Sequence, residues 1–585
     1  MCGIFGFFLK NEKINEEKKK IAIESLELLN HRGPDSIGYW INKDNNFFLG
    51  HTRLNIIDIS SQSNQPYFEN QTALSFNGEI YNYLSLKSIL KKDFKFKTNG
   101  DTEVLFNFLR KNKVENLIDI DGMFAFAYYD SGELFLCTDI FGEKPIYYLE
   151  NDLGVFFSSE IEPLKKFLTL EKDFSEVKKN IFYMFGFLKE ETFYKNLKYC
   201  PPASFIKIVK GQILIKRNYW SYQNLLKDTN KKKIISKTDL KEIKNLLIES
   251  CETRLNSDRP IALLLSSGID STLIASILKK EINFDIECFH ASFKRFSNKD
   301  LQIDETNLTS KIAKELDLNL YIENIDFDEN FFSYKNLINI FKQPNDNISA
   351  LMNYQINKSI SKKYKVAISG LGADEIFYGY NGYKFFNKNF DIINSKIISW
   401  ILKKINFLKI KKIETLRYYQ NFKDLELIFS YLNYSFYPKI RNKLFEDFKY
   451  NDEISFLENF SNIRMSSTLP YQMLSASDHS SMQHSLEIRS PYLNRKLLMK
   501  LLEFEHETIL GQTYKFLQKQ ILAEYLPKSL INQKKIGFIL NPKIFFRNSK
   551  KIENEFDNET FKFDRLKLRE LIYEEFFKNE SKYNI

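Results

Sequence analysis

The sequence predicts two unlike halves: a layered α+β first half, then an α/β second half built on a parallel sheet with added helices. Three observations predict this. Up to about residue 210, short β-rich runs are bounded by Gly, Asp, Asn or Ser, with helical patterns set apart from them. A polar Lys/Asn-rich stretch, Lys227 to Lys237, then interrupts the pattern. After it, short apolar strands alternate with helices, the βαβ signature of parallel pairing, and beyond about residue 380 the pattern is mostly helical.

In order, strands are expected at Gly3–Leu9, Thr72–Phe76, Met123–Tyr129, Glu133–Cys137 and Gly154–Ser158. The helices of this half are expected at Ile21–Asn30 and Thr102–Lys111, with Asp101 or Thr102 as cap. The second half opens with a helix over Asp239–Leu255, a strand at Ile261–Leu265 and a helix from Ser271. Further strands follow at Glu287–Phe293 and Lys365–Ile368. The divisions are therefore 1–215, a linker at 216–238, and 239–585.

Composition narrows the function. Of 585 residues, 43% are hydrophobic and 27% charged, enough for large cores and against disorder. The net charge of +10 comes from 85 basic and 75 acidic residues without a sustained basic run, which speaks against a nucleic-acid partner. Five scattered cysteines without a CxxC pair indicate neither disulfides nor a zinc site. No apolar run nears the ~18–20 residues of a membrane span, and no secretory leader opens the chain. A reducing cytoplasm is the expected compartment, with no membrane partner.

Chemistry begins at the second residue. Removal of Met1 would leave Cys2 with a free α-amine (reference pKa about 7.7–8.0) able to act as base for its own thiol. A cysteine attacking a carboxamide needs oxyanion donors and groups to hold the substrate's charged ends. Asn77-Gly78-Glu79, after a strand, offers a side-chain amide and a backbone N–H opened by glycine. Arg53 suits a bidentate grip on an α-carboxylate, and Asp101 at a helix start can meet an α-ammonium.

Six segments then stand in order: Cys2-Gly3-Ile4, His31-Arg32-Gly33-Pro34-Asp35, His51-Thr52-Arg53-Leu54, Asn77-Gly78-Glu79, Gly100-Asp101-Thr102-Glu103 and Gly142-Glu143-Lys144-Pro145. On these the first half resembles the N-terminal-nucleophile glutaminase domain, a sandwich fold, of class II glutamine amidotransferases. The resemblance implies that Cys2 forms a glutamyl thioester, that Asn77 and Gly78 hold the oxyanion, and that Arg53, Asn77, Glu79 and Asp101 bind glutamine. Thr138-Asp139 stands where relatives carry Arg-Asp, a departure expected to bear on communication between the halves.

The second half carries Leu265-Ser266-Ser267-Gly268-Ile269-Asp270-Ser271 between a strand and a helix, a junction whose N–H groups favour an anion. It lacks the Gly-Lys-Ser/Thr ending of a γ-phosphate loop. It resembles the pyrophosphate loop of enzymes that split ATP between its α- and β-phosphates, with Ser267 in place of a glycine. Ser369-Gly370-Leu371-Gly372-Ala373-Asp374-Glu375 follows a second strand, so Asp270 and Asp374 are placed for Mg²⁺. With Asp304-Glu305, Tyr378-Gly379-Tyr380, Asp478, Glu487-Ile488-Arg489-Ser490-Pro491 and Lys535-Ile536-Gly537-Phe538, these segments resemble the asparagine synthetase family.

The resemblance implies that ATP meets Leu265, Ser266, Ser267, Gly268, Asp270, Ser271, Ala291, Ser369 and Gly370, and that Lys535 steadies adenylation. It implies glutamine as nitrogen donor and aspartate as acceptor. A homodimer is compatible with it. Leu371 departs from an acidic residue of some relatives, and Gln343, Asn347, His479 and Asn494 are further departures, expected to cluster around the acceptor. They keep open another acceptor carboxylate, such as a uronic acid of surface polysaccharide. A binding protein that kept only the fold is a remoter alternative. Glu487 and Arg489 also read as a plain helix ion pair.

Overall fold

The five strands expected in the first half are joined by seven others in two antiparallel sheets of six strands each. The fold is described here from a computed structural model, covering residues 2–227, 231–292, 305–326, 328, 330–395, 450–511, 513–532 and 561–578. One sheet runs Lys198–Tyr199, Tyr147–Glu150, Gly154–Ser158, Gly3–Leu9, Phe47–Arg53, Ser36–Ile41 from edge to edge. The other runs Gln212–Asn218, Ser204–Val209, Glu133–Thr138, Gly122–Asp130, Thr72–Ile80, Tyr67–Glu69. Side chains alternate across each strand. Ala73, Ala125 and Ala127 thus pack with Ile4, Phe8, Phe47 and Leu49 of the facing sheet. Leu74, Phe76, Phe124 and Phe126 pack with Val104 and Phe108 of the Asp101–Lys111 helix. Alanines of one sheet against large side chains of the other, and aromatics beneath the helix, give a helix–sheet–sheet–helix sandwich.

Three local expectations shift. The first helix spans Glu16–Glu27 rather than Ile21–Asn30, because the Asn15 side chain accepts the Lys18 N–H and starts it earlier. Gly100, not Asp101 or Thr102, is the N-cap of the next helix, and the Asp101 carboxylate instead accepts the Ile80 N–H at 2.9 Å. Ser36–Ile41 and Phe47–Arg53 form a hairpin that the sequence reading omitted; Phe47–Arg53 is buried throughout and shows no alternation. The expected linker holds a short helix, Tyr222–Leu226.

The second half centres on a five-stranded sheet, all parallel, in the order Asn319–Asn324, Glu287–Ser292, Ile261–Leu264, Val366–Ile368, Glu487–Arg489. The order reverses between Ile261–Leu264 and Val366–Ile368. At such a switch point the loops after the two strands diverge and leave a crevice at their carboxyl ends. Glu487 and Arg489 lie in the edge strand and not in a helix, so their side chains share one face at i, i+2. That strand is the one turned toward the first half. No helix of the described residues is long and apolar enough to cross a membrane, and all five cysteines are unpaired.

Two candidate active sites and the contacts between them

Cys2 is buried at the head of the first strand. Its N–H donates to Asn77 Oδ1 at 2.9 Å, and its carbonyl accepts from Arg32 Nε at 3.1 Å. The Asn77 amide is therefore held by its oxygen, while its Nδ2 is buried and has no hydrogen-bond partner among the described residues. Asn77-Gly78-Glu79 lies within the strand Thr72–Ile80, not after it; Gly78 has φ +152°, and a Cβ there would stand 2.0 Å from the Met123 carbonyl oxygen, so the position accepts only glycine. Burial pushes the Cys2 thiol above its ordinary value, opposed by the Leu54 N–H and the Arg53 guanidinium.

Arg53 sits at the end of its strand, but its terminal N–H groups are already engaged. Nη1 donates to the Ser60 carbonyl and to Asn64 Oδ1, and Nη2 to the carbonyls of Ile57 and Asp58. Burial raises the Asp101 carboxyl to about 6 and lifts Glu79 well above the usual carboxylate range. The main counterweight at Glu79 comes from the other half: Arg489 Nη2 lies 3.1 Å from Glu79 Oε1. Burial alone would raise Glu487 as well, yet Arg489, with Nε 2.6 Å away, holds it below the ordinary value. The expectation of a plain helix pair is thereby corrected: Arg489 joins two carboxylates, one from each half.

At the switch point lies a cavity of about 370 Å³. Leu265, Ser266, Gly268, Asp270, Ser271, Ala291, Ser369 and Gly370 line it, as do Glu305 and Asp374; Ser267 does not. Serine hydroxyls shape the first loop: Ser271 Oγ accepts the Ser266 N–H, and Ser266 Oγ accepts the Gly268 N–H, both at 3.1 Å. The loops touch, since a Cβ on Gly370 would lie 3.1 Å from the Asp270 Cβ. The Lys515 ammonium stands between the Asp270 and Asp374 carboxylates and contacts both. Burial disfavours its charge, but the two aspartates outweigh burial and raise its pKa. The sequence reading missed Lys515, whose pairing with residues 245 and 141 positions away leaves no local pattern. Lys535 and Asp304 lie outside the described residues.

Two carboxylates converging on one buried cation are a donor set that a hard divalent ion accepts, with phosphate oxygens completing its shell. No cluster of three or more His, Cys, Asp or Glu suited to a metal occurs among the described residues. A pair of protein carboxylates is the arrangement typical of Mg²⁺ held jointly with substrate phosphates.

A second, water-sized cavity of about 10 Å³ lies between the halves, lined by Glu143, Lys144, Leu371, Leu474, Ser477, Asp478, Ser481, Ile488 and Ser490. It shares Leu371, Ser477 and Ile488 with the large one. Of the five departures expected to cluster around an acceptor, only Leu371 lines the large cavity. Gln343 accepts the Phe193 N–H, Asn347 Oδ1 accepts the Ser349 N–H, His479 bonds to the Ser475 carbonyl, and Asn494 caps the Arg495–Leu502 helix. Gln343 instead lines another cavity with Tyr147, Phe341 and Ser475, which all touch His479.

The family model described as "Glutamine amidotransferase domain" matches residues 1–220, and that described as "Asparagine synthase" matches residues 242–582, more than half the chain. The chain belongs to the asparagine synthase family. An asparagine synthetase [glutamine-hydrolyzing] 1 of Bacillus subtilis is 29% identical over 92% of this chain and 87% of its own length. Asparagine synthetase B [glutamine-hydrolyzing] of Escherichia coli is 31% identical over 48% of this chain and 45% of its own length. An amidase, chry2, of Gibberella zeae is 25% identical over 66% of this chain and 60% of its own. This family member is thus a glutamine-hydrolysing ligase with a glutamine amidotransferase half and an ATP-using half.

Proposed function

We propose that the protein amidates aspartate to asparagine through an acyl-adenylate, using ammonia that Cys2 releases from glutamine. Cys2 attacks the glutamine carboxamide while Asn77 Nδ2 and the Gly78 N–H take the oxyanion. Ammonia leaves, and water then splits the thioester to glutamate. Asp101 and Glu79 face the substrate's α-ammonium. Arg53 takes its α-carboxylate by giving up carbonyls of the 57–64 loop.

In the large cavity the acceptor carboxylate attacks the α-phosphorus of ATP, pyrophosphate departs, and ammonia displaces AMP from the acyl group. Leu265, Ser266, Gly268, Ser271, Ala291, Ser369 and Gly370 surround the nucleotide. Asp270 and Asp374 would hold Mg²⁺, which supplies charge neutralisation for the pyrophosphate oxygens. Lys515 lies beside the same oxygens, and Lys535 is assigned to the adenylation step. Ammonia is mostly ammonium in water at neutral pH, so a closed passage serves the transfer.

The observation that carries this reading is the Asn77 amide: its oxygen is fixed on the Cys2 N–H, and its buried Nδ2 is left to receive an oxyanion. Cys2→Ala is expected to abolish amidation with glutamine and to retain it with ammonium salts, measured as AMP release. Equal loss with both donors refutes the division of labour. A second reading, another acceptor carboxylate such as a uronic acid, is favoured by Leu371, an apolar side chain where the two cavities meet. ATP–pyrophosphate exchange against aspartate and then uronic acids decides between them.

A further inference from the structure

Arg489 reaches both candidate sites, one with its side chain and the other with its carbonyl. Its side chain is fully buried. Nη2 meets Glu79 of the glutamine site at 3.1 Å, Nε meets Glu487 at 2.6 Å, and Nη1 donates to the carbonyls of Arg254 and Asn256. Its own carbonyl accepts the N–H of Ser369 at 2.9 Å, the first residue of the second ATP loop. The next residue, Ser490, donates through Oγ to the carbonyl of Leu371 in that loop. The strand Glu487–Arg489 is thus bonded to the nucleotide loop on its main-chain side, while a charge on its side chain balances a carboxylate of the glutamine site.

The charge pattern makes that balance matter. Glu79 is buried, and its Oε2 has no hydrogen-bond partner among the described residues. A buried carboxylate is ionised only while a cation compensates it. An ångström-scale shift of the guanidinium therefore changes how strongly Glu79 attracts a substrate ammonium. The Ser369–Leu371 loop lines the ATP cavity and is fastened to the same strand, so two hydrogen bonds join the cavity wall to the residues that carry that guanidinium.

We propose that Arg489 is a positioning residue for glutamine, supplied by the synthetase half, and that through it occupancy of the ATP cavity tightens glutamine binding at Glu79. This rests on the assignment of glutamine to the Cys2 site and ATP to the large cavity. Coupling between two sites is reciprocal, and typical values run from about 5- to 150-fold. A link of two hydrogen bonds and one ion pair belongs at the lower end.

The test uses the full-length protein and a non-hydrolysable ATP analogue with Mg²⁺. Glutamate release from glutamine is followed with and without the analogue. In the wild type the glutamine KM is expected to fall about fivefold on adding the analogue, with kcat changed less. Glutamine binding to Cys2→Ala should strengthen analogue binding by the same factor. Arg489→Lys keeps the charge but not the fork that reaches two carboxylates; it should raise the glutamine KM and shrink the analogue's effect below twofold. Ser490→Ala leaves every buried ion pair in place and guards against misfolding of the first variant. It should shrink the analogue's effect without raising the KM measured in its absence.

A wild-type glutamine KM indifferent to the analogue overturns the proposal, and so does a full fivefold effect in both variants. Wild-type protein that releases no glutamate at all removes the underlying assignment, and the proposal with it.

Discussion

Asp101 carries a conflict between stability and use. Burial holds its carboxyl at about 6 in the folded protein, above the ~3.9 of an unfolded chain. Between those values the folded state binds more protons than the unfolded one, so stability falls as pH rises through the window. The assigned role runs the other way: only the ionised carboxylate attracts an α-ammonium. We expect kcat/KM for glutamate release to drop about tenfold per pH unit below roughly 6, since that ratio reports the free enzyme. A flat profile between pH 7 and 5 counts against Asp101 as the ammonium partner. Asp101→Asn should remove glutamine turnover and raise the thermal midpoint at pH 8, a trade characteristic of binding groups held at a cost to folding. At this scale the sequence was most readable where chemistry is local. Cys2, Asn77-Gly78 and the two serine-rich loops are short segments whose residue types state their use. Lys515 and the Arg489–Glu79 pair were not readable, because each joins positions far apart in the chain.

Among the elements, the two loops at the switch point depend on a cation held between them. Lys515 faces Asp270 and Asp374, which would otherwise confront each other in a buried site. Lys515→Met should cost about 3–5 kcal/mol in urea unfolding without divalent ions, the usual loss when one member of a buried charge set is removed. Millimolar Mg²⁺ should restore much of this in the variant and add far less to the wild type. If Mg²⁺ stabilises both equally, the two aspartates are not its ligands. Five strands of the two antiparallel sheets were legible as β-rich runs bounded by turn residues, and the other seven were not. Phe47–Arg53, the strand that delivers Arg53, was not among the five, although Gly3–Leu9, equally buried on both faces, was. The Glu487–Arg489 edge strand escaped because three residues carry too little periodicity to separate strand from helix.

For the whole molecule, the halves are locked by charges that neither could bury alone. Asp346 accepts from Arg569 Nε at 2.7 Å and lies 3.1 Å from Arg565 Nε, both on the Phe561–Phe577 helix. Arg569 also donates to the carbonyls of Tyr183 and Met184 in the first half. Asp346→Ala should lower the urea midpoint by an amount equal to about 3–5 kcal/mol, because it strands the buried Arg569 guanidinium near the interface. A loss under 1 kcal/mol would mean that water reaches it. Two-half organisation was legible from the change in element pattern near residue 230, but not the interface, which is written in single residues scattered over both halves. Arg32 shows what that interface demands. It donates to the Cys2 carbonyl with Nε and grips Glu160 and Asp478 with its terminal nitrogens, fully buried among them. Asp478 belongs to the other half. A chimera grafting this first half onto a foreign partner domain would thus inherit a nucleophile whose support is missing, with Arg32 half-neutralised and Glu79 facing no guanidinium. Recombination of such enzymes can succeed only when donor and recipient bring matching charges to the seam.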